Sequence, residues 1–333
     1  MKKLLLVDFY PDEKWTFGQL LKKELADVEV RVCESNQARR NIFVKGMRFF
    51  KYFLFPLKIL FIRRKYDLII GWQQFYALNL VFWLRLIHAP KTAKIVVMTF
   101  IYKPKAGFLG WIYRLYMKFI CDSIYIDKFI VFSREEVSFY SKELGIKSDK
   151  LQFLPYGEDF FHNESDCQKG DYVFCAGRSN RDYDFLIKCF EGNEKKLVIA
   201  CDTLVRKTSG NILILNNCFS SEMGSYMAKC FCVVLPLKNL KISSGQLVAL
   251  QAMSLGKPII ATNAAGIADY IENEKSGFLI NNDVESLQEK INLLYNDSEM
   301  YNRMSAYAKS CYQNNFTLEK MALNVVRVIE GLK

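Results

Sequence analysis

The chain has 333 residues, 51% of them hydrophobic and 24% charged, with 17 Gly and 7 Pro. That length favours two domains, and the composition excludes disorder, collagen-like repeats and low complexity as the main architecture. The formal charge of +11 is unevenly spread: residues 1–156 carry 27 Lys+Arg against 14 Asp+Glu, a net of +13, whereas residues 157–333 carry 19 against 21, a net of −2.

The chain opens MKKLLLVDFYPDEKW, where Asp8 and Pro11 interrupt any apolar run, so no signal-peptide pattern is present. The expectation is a cytosolic protein with reduced thiols. Its ten cysteines are scattered without a C-x-x-C pair, which excludes a zinc ribbon or finger.

Short β-branched or aromatic runs then alternate with helical patterns: KLLLVDF (3–9), VEVRVC (28–33), DLIIGW (67–72), AKIVVMTF (93–100) and DKFIVFS (127–133). Segments long enough for crossover helices separate them, which is the signature of a parallel α/β sheet. Within this half, residues 35–121 hold 16 basic side chains and a single acid, Asp67. Such a surface suits a polyanionic partner, either phospholipid headgroups or nucleic acid. No nucleic-acid motif accompanies the charge.

Two apolar runs lie there, FFKYFLFPLKILFI (49–62) and YALNLVFWLRLI (76–87), and basic residues or Pro56 interrupt both. Neither reaches the roughly 20 clean residues that a bilayer span needs. A helical wheel over 41–57 puts Asn41, Lys45, Arg48, Lys51 and Tyr52 on one side and Gly46, Phe50, Phe53, Leu54 and Leu57 on the other, with Pro56 kinking or ending the helix. GFLGWIYRLYMKFI (107–120) repeats the design with Arg114 and Lys118. Core-packed helices with solvated basic faces fit the pattern, but the scarcity of acids favours a membrane surface, with Lys45, Arg48 and Lys51 facing it.

The alternation pauses at LPYGEDFFHNESDCQKGD (154–171), where a domain boundary is expected. It resumes with YVFCAG (172–177), KLVIAC (196–201), ILIL (212–215), CFCVVLPL (230–237), KPIIAT (257–262) and GFLI (277–280), and from Asp283 onward only helices are expected. Two Rossmann-like halves of this kind bind ligands at the carboxyl ends of their strands.

The most informative stretch is ISSGQLVALQAMSLGKPIIATNAAGIADYI (242–271), in which Ser243, Ser244 and Gly245 lead into a helix. A small-residue turn at a helix N-terminus suits a phosphate, and an ordinary N-cap fits it equally. Together with SGFLI, this stretch resembles the nucleotide-binding segment of the group 1 family of retaining glycosyltransferases with the GT-B fold. FCAGRSNRDYDFLIKCF (174–190) resembles that family's Gly-Arg turn, KLQFLPYGEDFF (150–161) its interdomain linker, and KFIVFSREEVSFYSKELGI (128–146) its last N-terminal strand and helix. The resemblance covers roughly residues 125–330; the first 120 share only the βα pattern.

The resemblance implies an α/β protein of GT-B type, two Rossmann-like parallel-sheet domains facing a central cleft. The expected division is residues 1–156 as an acceptor- and membrane-facing domain, 157–315 as the nucleotide-sugar domain, and a C-terminal helix, 316–333, returning to the first. Gly177 and Arg178 occupy the Gly-Arg turn, and Arg181 is the candidate for the second cation on the donor diphosphate; permanent charge and a fixed fork suit both arginines to phosphate oxygens. Either arginine could instead pair with Asp182 or Asp184. Ser243, Ser244, Gly245, Gln246 and Gln251 are the remaining nucleotide-sugar candidates. The family carries two glutamates seven residues apart, one near the donor sugar and one on the ribose, where this chain has Ser243 and Gln251. Gln251 retains an oxygen able to accept a ribose hydroxyl. Base contacts are expected around Asn217 to Phe219.

Gly18, after the first strand, is expected in a loop near the donor phosphates and acceptor. The loop TFIYKPKAG (99–107) offers Tyr102, Lys103 and Lys105 to a lipid-linked diphosphate, or is simply solvated. The expected activity is transfer of a sugar, with retention, from a nucleotide-sugar donor, UDP-linked before GDP-linked, to a lipid-linked or polysaccharide acceptor. It would take place peripherally on the cytosolic face of an anionic membrane, with no metal and no cofactor. A non-catalytic partner subunit, motivated by Ser243 and Gln251, and a basic nucleic-acid-binding protein are the alternatives.

Overall fold

The computed structural model describes residues 2–13, 15–35, 42–160, 167, 169–241 and 243–332. Asn41, Ile242 and His162 fall outside these residues, as does the side chain of Lys45. The chain forms two compact units, Met1–Leu154 with Met321–Lys333, and Pro155–Lys320.

Unit 1 runs β1 (Lys3–Val7), α1 (Thr16–Glu24), β2 (Val28–Val32), α2 (Ile42–Ile62), β3 (Leu68–Gly71), α3 (Gln74–Leu86), β4 (Lys94–Val97), α4 (Gly107–Cys121), β5 (Lys128–Val131), α5 (Arg134–Leu144) and β6 (Leu151–Phe153). The six strands form a parallel sheet in the order β2-β1-β3-β4-β5-β6. Residues 151–153, inside the stretch that resembles the interdomain linker, instead pair in parallel with β5 as the edge strand. Their short run of Leu-Gln-Phe carries too little periodicity to read as a strand alone.

Unit 2 runs β7 (Tyr172–Ala176), α6 (Tyr183–Phe190), β8 (Lys196–Ala200), β9 (Ile212–Leu215), α7 (Ser220–Ala228), β10 (Cys232–Leu235), α8 (Gln246–Ser254), β11 (Ile259–Thr262), β12 (Gly277–Ile280), α9 (Val284–Asn296) and α10 (Ser298–Asn315). Its parallel sheet has the order β12-β11-β10-β7-β8-β9. Central strands such as β10 and β11 are buried throughout, because helices cover both faces; the cores on the two sides are separate clusters. The last helix, α11 (Leu318–Glu330), begins in unit 2 and ends in unit 1, where Lys94 donates to the carbonyl of Leu332.

Helix α2 differs from the wheel in two respects. It does not end at Pro56 but continues to Ile62, and of its apolar side Gly46, Phe50 and Leu54 face outward while Phe53 and Leu57 pack on the core. Phe43, Met47, Phe50, Leu54 and Phe61 form an exposed stripe with Lys58 inside it, whereas Tyr52, Ile59 and Leu60 are buried. The wheel ranks sides by polarity, but α3 takes the side that offers hydrogen bonds. Pro56 lacks an N–H and crowds the carbonyl four residues earlier, so the carbonyl of Tyr52 needs another donor. Buried Asn79 supplies it at 2.8 Å, and one turn later Trp83 Nε1 donates to the carbonyl of Phe53 at 3.0 Å. The Asn79 side chain also accepts from Tyr116 on α4, tying three helices together. Helix α4 repeats the outward apolar face with Phe108, Trp111, Ile112, Leu115 and Phe119.

Asn79→Leu should therefore destabilise the protein by about 1–3 kcal/mol, because the Tyr52 carbonyl and the Tyr116 hydroxyl lose a buried partner. Urea unfolding reads this as a lower midpoint. In a Pro56→Ala background, where residue 56 regains its N–H, the same substitution should cost measurably less; an unchanged cost would show that Asn79 does not compensate for the proline.

Candidate functional site

The strand order of unit 2 reverses between β7 and β10: the chain proceeds outward through β8 and β9 on one side and through β11 and β12 on the other. Loops leaving the carboxyl ends of β7 and β10 diverge there, and open parallel sheets bind ligands in that crevice. Gly177 ends β7 with φ +123°, a conformation strained for any other residue. A Cβ built on it would lie 2.8 Å from Nη2 of Arg181.

Arg181 curls back over this turn. Its Nε donates to the carbonyl of Ala176 at 2.9 Å and its Nη1 to that of Ser179 at 3.1 Å. Nη1 also lies 3.9 Å from where a Cβ on Gly245 would sit, so one guanidinium reaches from the β7 turn to the start of α8. The carbonyl of Gly177 accepts from Tyr183. Burial pushes the Tyr183 phenol up, and the Cys175 thiol in β7 is pushed up to about 12 by the same cause. Both stay neutral, so neither adds an anion beside the arginines at this turn.

Arg178 is largely exposed, and its Nη1 pairs with Asp202 at 3.3 Å. The other carboxylate oxygen of Asp202 is buried without a hydrogen-bond partner. Neither arginine pairs with Asp182 or Asp184. Asp182 caps α6 by accepting from the N–H of Phe185 at 3.1 Å, and Asp184 pairs with Arg206 at 2.8 Å. Those two residues form an Asp-x-Asp sequence, and both carboxylates serve the local structure.

Asn180 fixes the two loops together. Its Nδ2 donates to the Asn239 carbonyl at 3.0 Å and to Ser244 Oγ at 2.8 Å, while its Oδ1 accepts from the N–H of Asn239 at 2.7 Å. Asn tolerates the left-handed backbone this requires, φ +56°. Between the loops lies a concavity of about 670 Å³, walled by Arg178, Asn180 and Arg181 on one side and Lys238 to Lys241 on the other.

Gly245 opens α8 at φ +95°. Ser243 accepts from Gln246 Nε2. Gly266 admits this pair, since a Cβ there would lie 2.4 Å from Ser243 Oγ. The structure thus gathers Gly177, Arg181, Ser243, Ser244, Gly245 and Gln246. Gln251 lies farther along α8 against α7, where its Nε2 is 3.3 Å from a Cβ built on Gly224, and it is not part of the concavity wall. Phe219, at the start of α7, is half exposed.

Residues 174–310 match the family model described as Glycosyl transferases group 1. The chain carries a group 1 glycosyltransferase domain. An uncharacterized glycosyltransferase of Methanocaldococcus jannaschii is 26% identical over 185 residues, 53% of this chain and 51% of that relative, so the match spans about half the relative's length. HepE of Anabaena, solved in complex with UDP, superposes with a TM-score of 0.70 at 16% identity, covering 100% of both chains. WaaG, a glycosyltransferase involved in lipopolysaccharide biosynthesis, gives a TM-score of 0.63 at 14% identity, covering 99% of this chain and 100% of that one. The fold is GT-B. Within the group 1 domain, the concavity joins the first strand's turn to the segment before α8.

In unit 1, two expected site residues take other roles. Gly18 is the third residue of α1 rather than a loop glycine, and a Cβ on it would lie 2.4 Å from the Trp15 ring that rests there. Tyr102 is buried, its ring stacked on Tyr113 at 5.6 Å, and burial raises its phenol. Lys103 and Lys105 are both exposed, and Lys105 lies 4.6 Å over the Tyr113 ring. Lys51 donates to the carbonyl of Glu34, and Arg48 is half-buried.

Four functional candidates escape the sequence reading: Asn180, Lys238, Asn239 and Lys241 in unit 2. In unit 1 the strand order reverses between β1 and β3, where Phe9, Trp15, Phe17 and Trp72 form an aromatic cluster; Trp15 and Trp72 meet edge to face at 5.3 Å. The signal for both groups is position just beyond a strand at a reversal, which appears only when strand order is known.

Gly177→Ala should strain the turn by about 1–3 kcal/mol and push Arg181 out of place. The expected result is a folded protein of lower melting temperature with at least tenfold weaker nucleoside diphosphate binding by calorimetry. Unchanged binding would separate the turn from the ligand.

Proposed function

We propose that the protein is a metal-independent glycosyltransferase of hexosyltransferase type. It moves a sugar from a nucleotide-sugar donor, UDP-linked before GDP-linked, to a lipid-linked or polysaccharide acceptor in cell-surface polysaccharide or glycolipid synthesis. The observation that carries the reading is the cationic concavity at the β7–β10 reversal, with a left-handed glycine turn at the end of β7 and another at the start of α8. Backbone N–H groups at a helix start and fixed guanidinium groups suit a diphosphate. The fold shared with HepE, which was solved in complex with UDP, supports the choice of nucleotide.

The reaction proceeds with retention. The acceptor hydroxyl oxygen attacks the anomeric carbon from the face that the diphosphate leaves, the bond from that carbon to the phosphate oxygen breaks, and the departing phosphate takes the hydroxyl proton. Arg178 and Arg181 neutralise the charge that grows on the leaving group, so positioning and electrostatics replace a carboxylate base. Phe9, Trp15 and Trp72 offer the acceptor's sugar rings apolar faces.

The site of action is the cytosolic membrane face. Two observations support this: the outward apolar stripes of α2 and α4, and a segment 35–121 with 16 basic residues against one acid. Among the described residues no helix is long and apolar enough to cross a membrane. Aromatic side chains beside lysines in that arrangement fit an interfacial helix pair. A second reading, a non-catalytic partner subunit, draws on the uncharged Ser243 and Gln251; nucleotide-sugar binding without turnover, even with lipid acceptors present, would favour it.

Arg178→Ala should lower transfer about 10²–10³-fold, as measured by donor consumption, while circular dichroism stays unchanged. Near-normal transfer would remove Arg178 from the mechanism. For the membrane face, Phe50→Ser with Trp111→Ser changes two exposed side chains, each able to contribute about 1.5–3 kcal/mol on burial in lipid. Flotation with anionic vesicles should then fall at least tenfold. Wild-type protein that ignores such vesicles at low salt would contradict the membrane reading.

A further inference from the structure

We propose that Lys238 and Lys241 recognise an anionic group on the donor besides its diphosphate, and that the donor is a nucleotide sugar of the uronic acid class, bearing a carboxylate. This rests on the nucleotide-sugar reading of the same concavity and names its substrate class.

The concavity gathers four cations, Arg178, Arg181, Lys238 and Lys241, and no acid is among its walls. Asp202, paired with Arg178, is the acid found within ion-pair distance of any of the four among the described residues. A nucleoside diphosphate joined to a sugar carries one charge on each phosphate. Two arginines already match those charges, and even after Asp202 offsets Arg178 the site keeps one cation more than the phosphates need. Unpaired cations held together in a concavity repel one another, and a further anion on the ligand relieves that repulsion.

The lysines stand on a different loop from the Gly177 turn that Arg181 covers, so the extra charge is placed on the sugar rather than on the diphosphate. Arg181 covers the Gly177 turn, whereas the lysines belong to the loop after β10 that runs into Ser243 and Gly245. Asn180 anchors that loop through both the carbonyl and the N–H of Asn239, so Lys238 and Lys241 project from a fixed backbone. Ser243, which that loop leads into, carries a neutral hydroxyl that accepts from Gln246, so its side chain puts no negative charge beside Lys241 to oppose a carboxylate. Lysine ammonium groups meeting a carboxylate form charge-assisted hydrogen bonds, which discriminate strongly against a neutral hydroxymethyl group.

The test is calorimetric titration of the full chain with UDP, UDP-glucose and UDP-glucuronate, and with GDP, GDP-mannose and GDP-mannuronate, each against wild type and a Lys238→Gln/Lys241→Gln variant. In the wild type the uronate should bind about tenfold or more tighter than the neutral sugar on the same nucleotide, and added salt should shrink that ratio. In the double variant the ratio should fall to near unity, whatever happens to UDP or GDP alone. Equal binding of uronate and neutral sugar to wild type, or a preference that survives in the double variant, would overturn the proposal while leaving the diphosphate site standing. Failure of every nucleotide to bind wild type would overturn the diphosphate site and this proposal together.

Discussion

Arg181 is fastened to the backbone it covers. Its guanidinium donates to the carbonyls of Ala176 and Ser179, which fixes a permanent charge over the carboxyl end of β7. Its position over the turn requires glycine at 177, where a side chain would meet Nη2 at 2.8 Å; Gly245 is favoured instead by its left-handed backbone, φ +95°. The rest of the site follows from this contact. A fixed cation needs no reorganisation when charge develops on a leaving group, and preorganisation of that kind is the largest electrostatic contribution an enzyme makes. Asn180 performs the complementary task for the facing loop by holding Asn239 and Ser244.

Unit 1 shows a similar economy in an apolar setting. Pro56 interrupts the hydrogen-bond ladder of α2 on its inner side, Asn79 on α3 replaces the missing donor, and Trp83 adds a bond to the next carbonyl, that of Phe53. The Tyr52 side of α2 is thereby turned to the core, and Phe43, Met47 and Phe50 are left outside. Contiguous exposed apolar stripes are a feature of surfaces that meet a partner, and on this one the membrane proposal rests. The same buried bonds therefore account for the helix continuing through proline and for the outward face.

The parallel α/β architecture was legible because nearly every strand is a short β-branched run between helical patterns; β10, with Cys232 to Leu235 wholly buried, is typical. Gly177 and Arg178 were reached through the resemblance to a family Gly-Arg turn, and the structure places both directly after β7. The α2 orientation was hidden, since a wheel weighs polarity and knows nothing of a carbonyl freed by Pro56. Tyr102 and Gly18 misled for a related reason: an aromatic or a glycine after a strand suits either a ligand or a neighbour, and here Tyr113 and Trp15 are the neighbours. Lys238 and Lys241 gave no local signal. They join the arginines only because strand order sets β7 beside β10.

In the proposed function, the β7–β10 reversal holds a nucleotide diphosphate between the Gly177 turn and the start of α8. A crystal structure of the full chain grown with UDP or GDP tests it most directly. Phosphate oxygens are expected within hydrogen-bond distance of the Arg178 or Arg181 guanidinium and of the backbone N–H groups that follow Gly245. A nucleotide seated elsewhere, or one whose phosphates face solvent while these residues keep only the contacts described above, would contradict it.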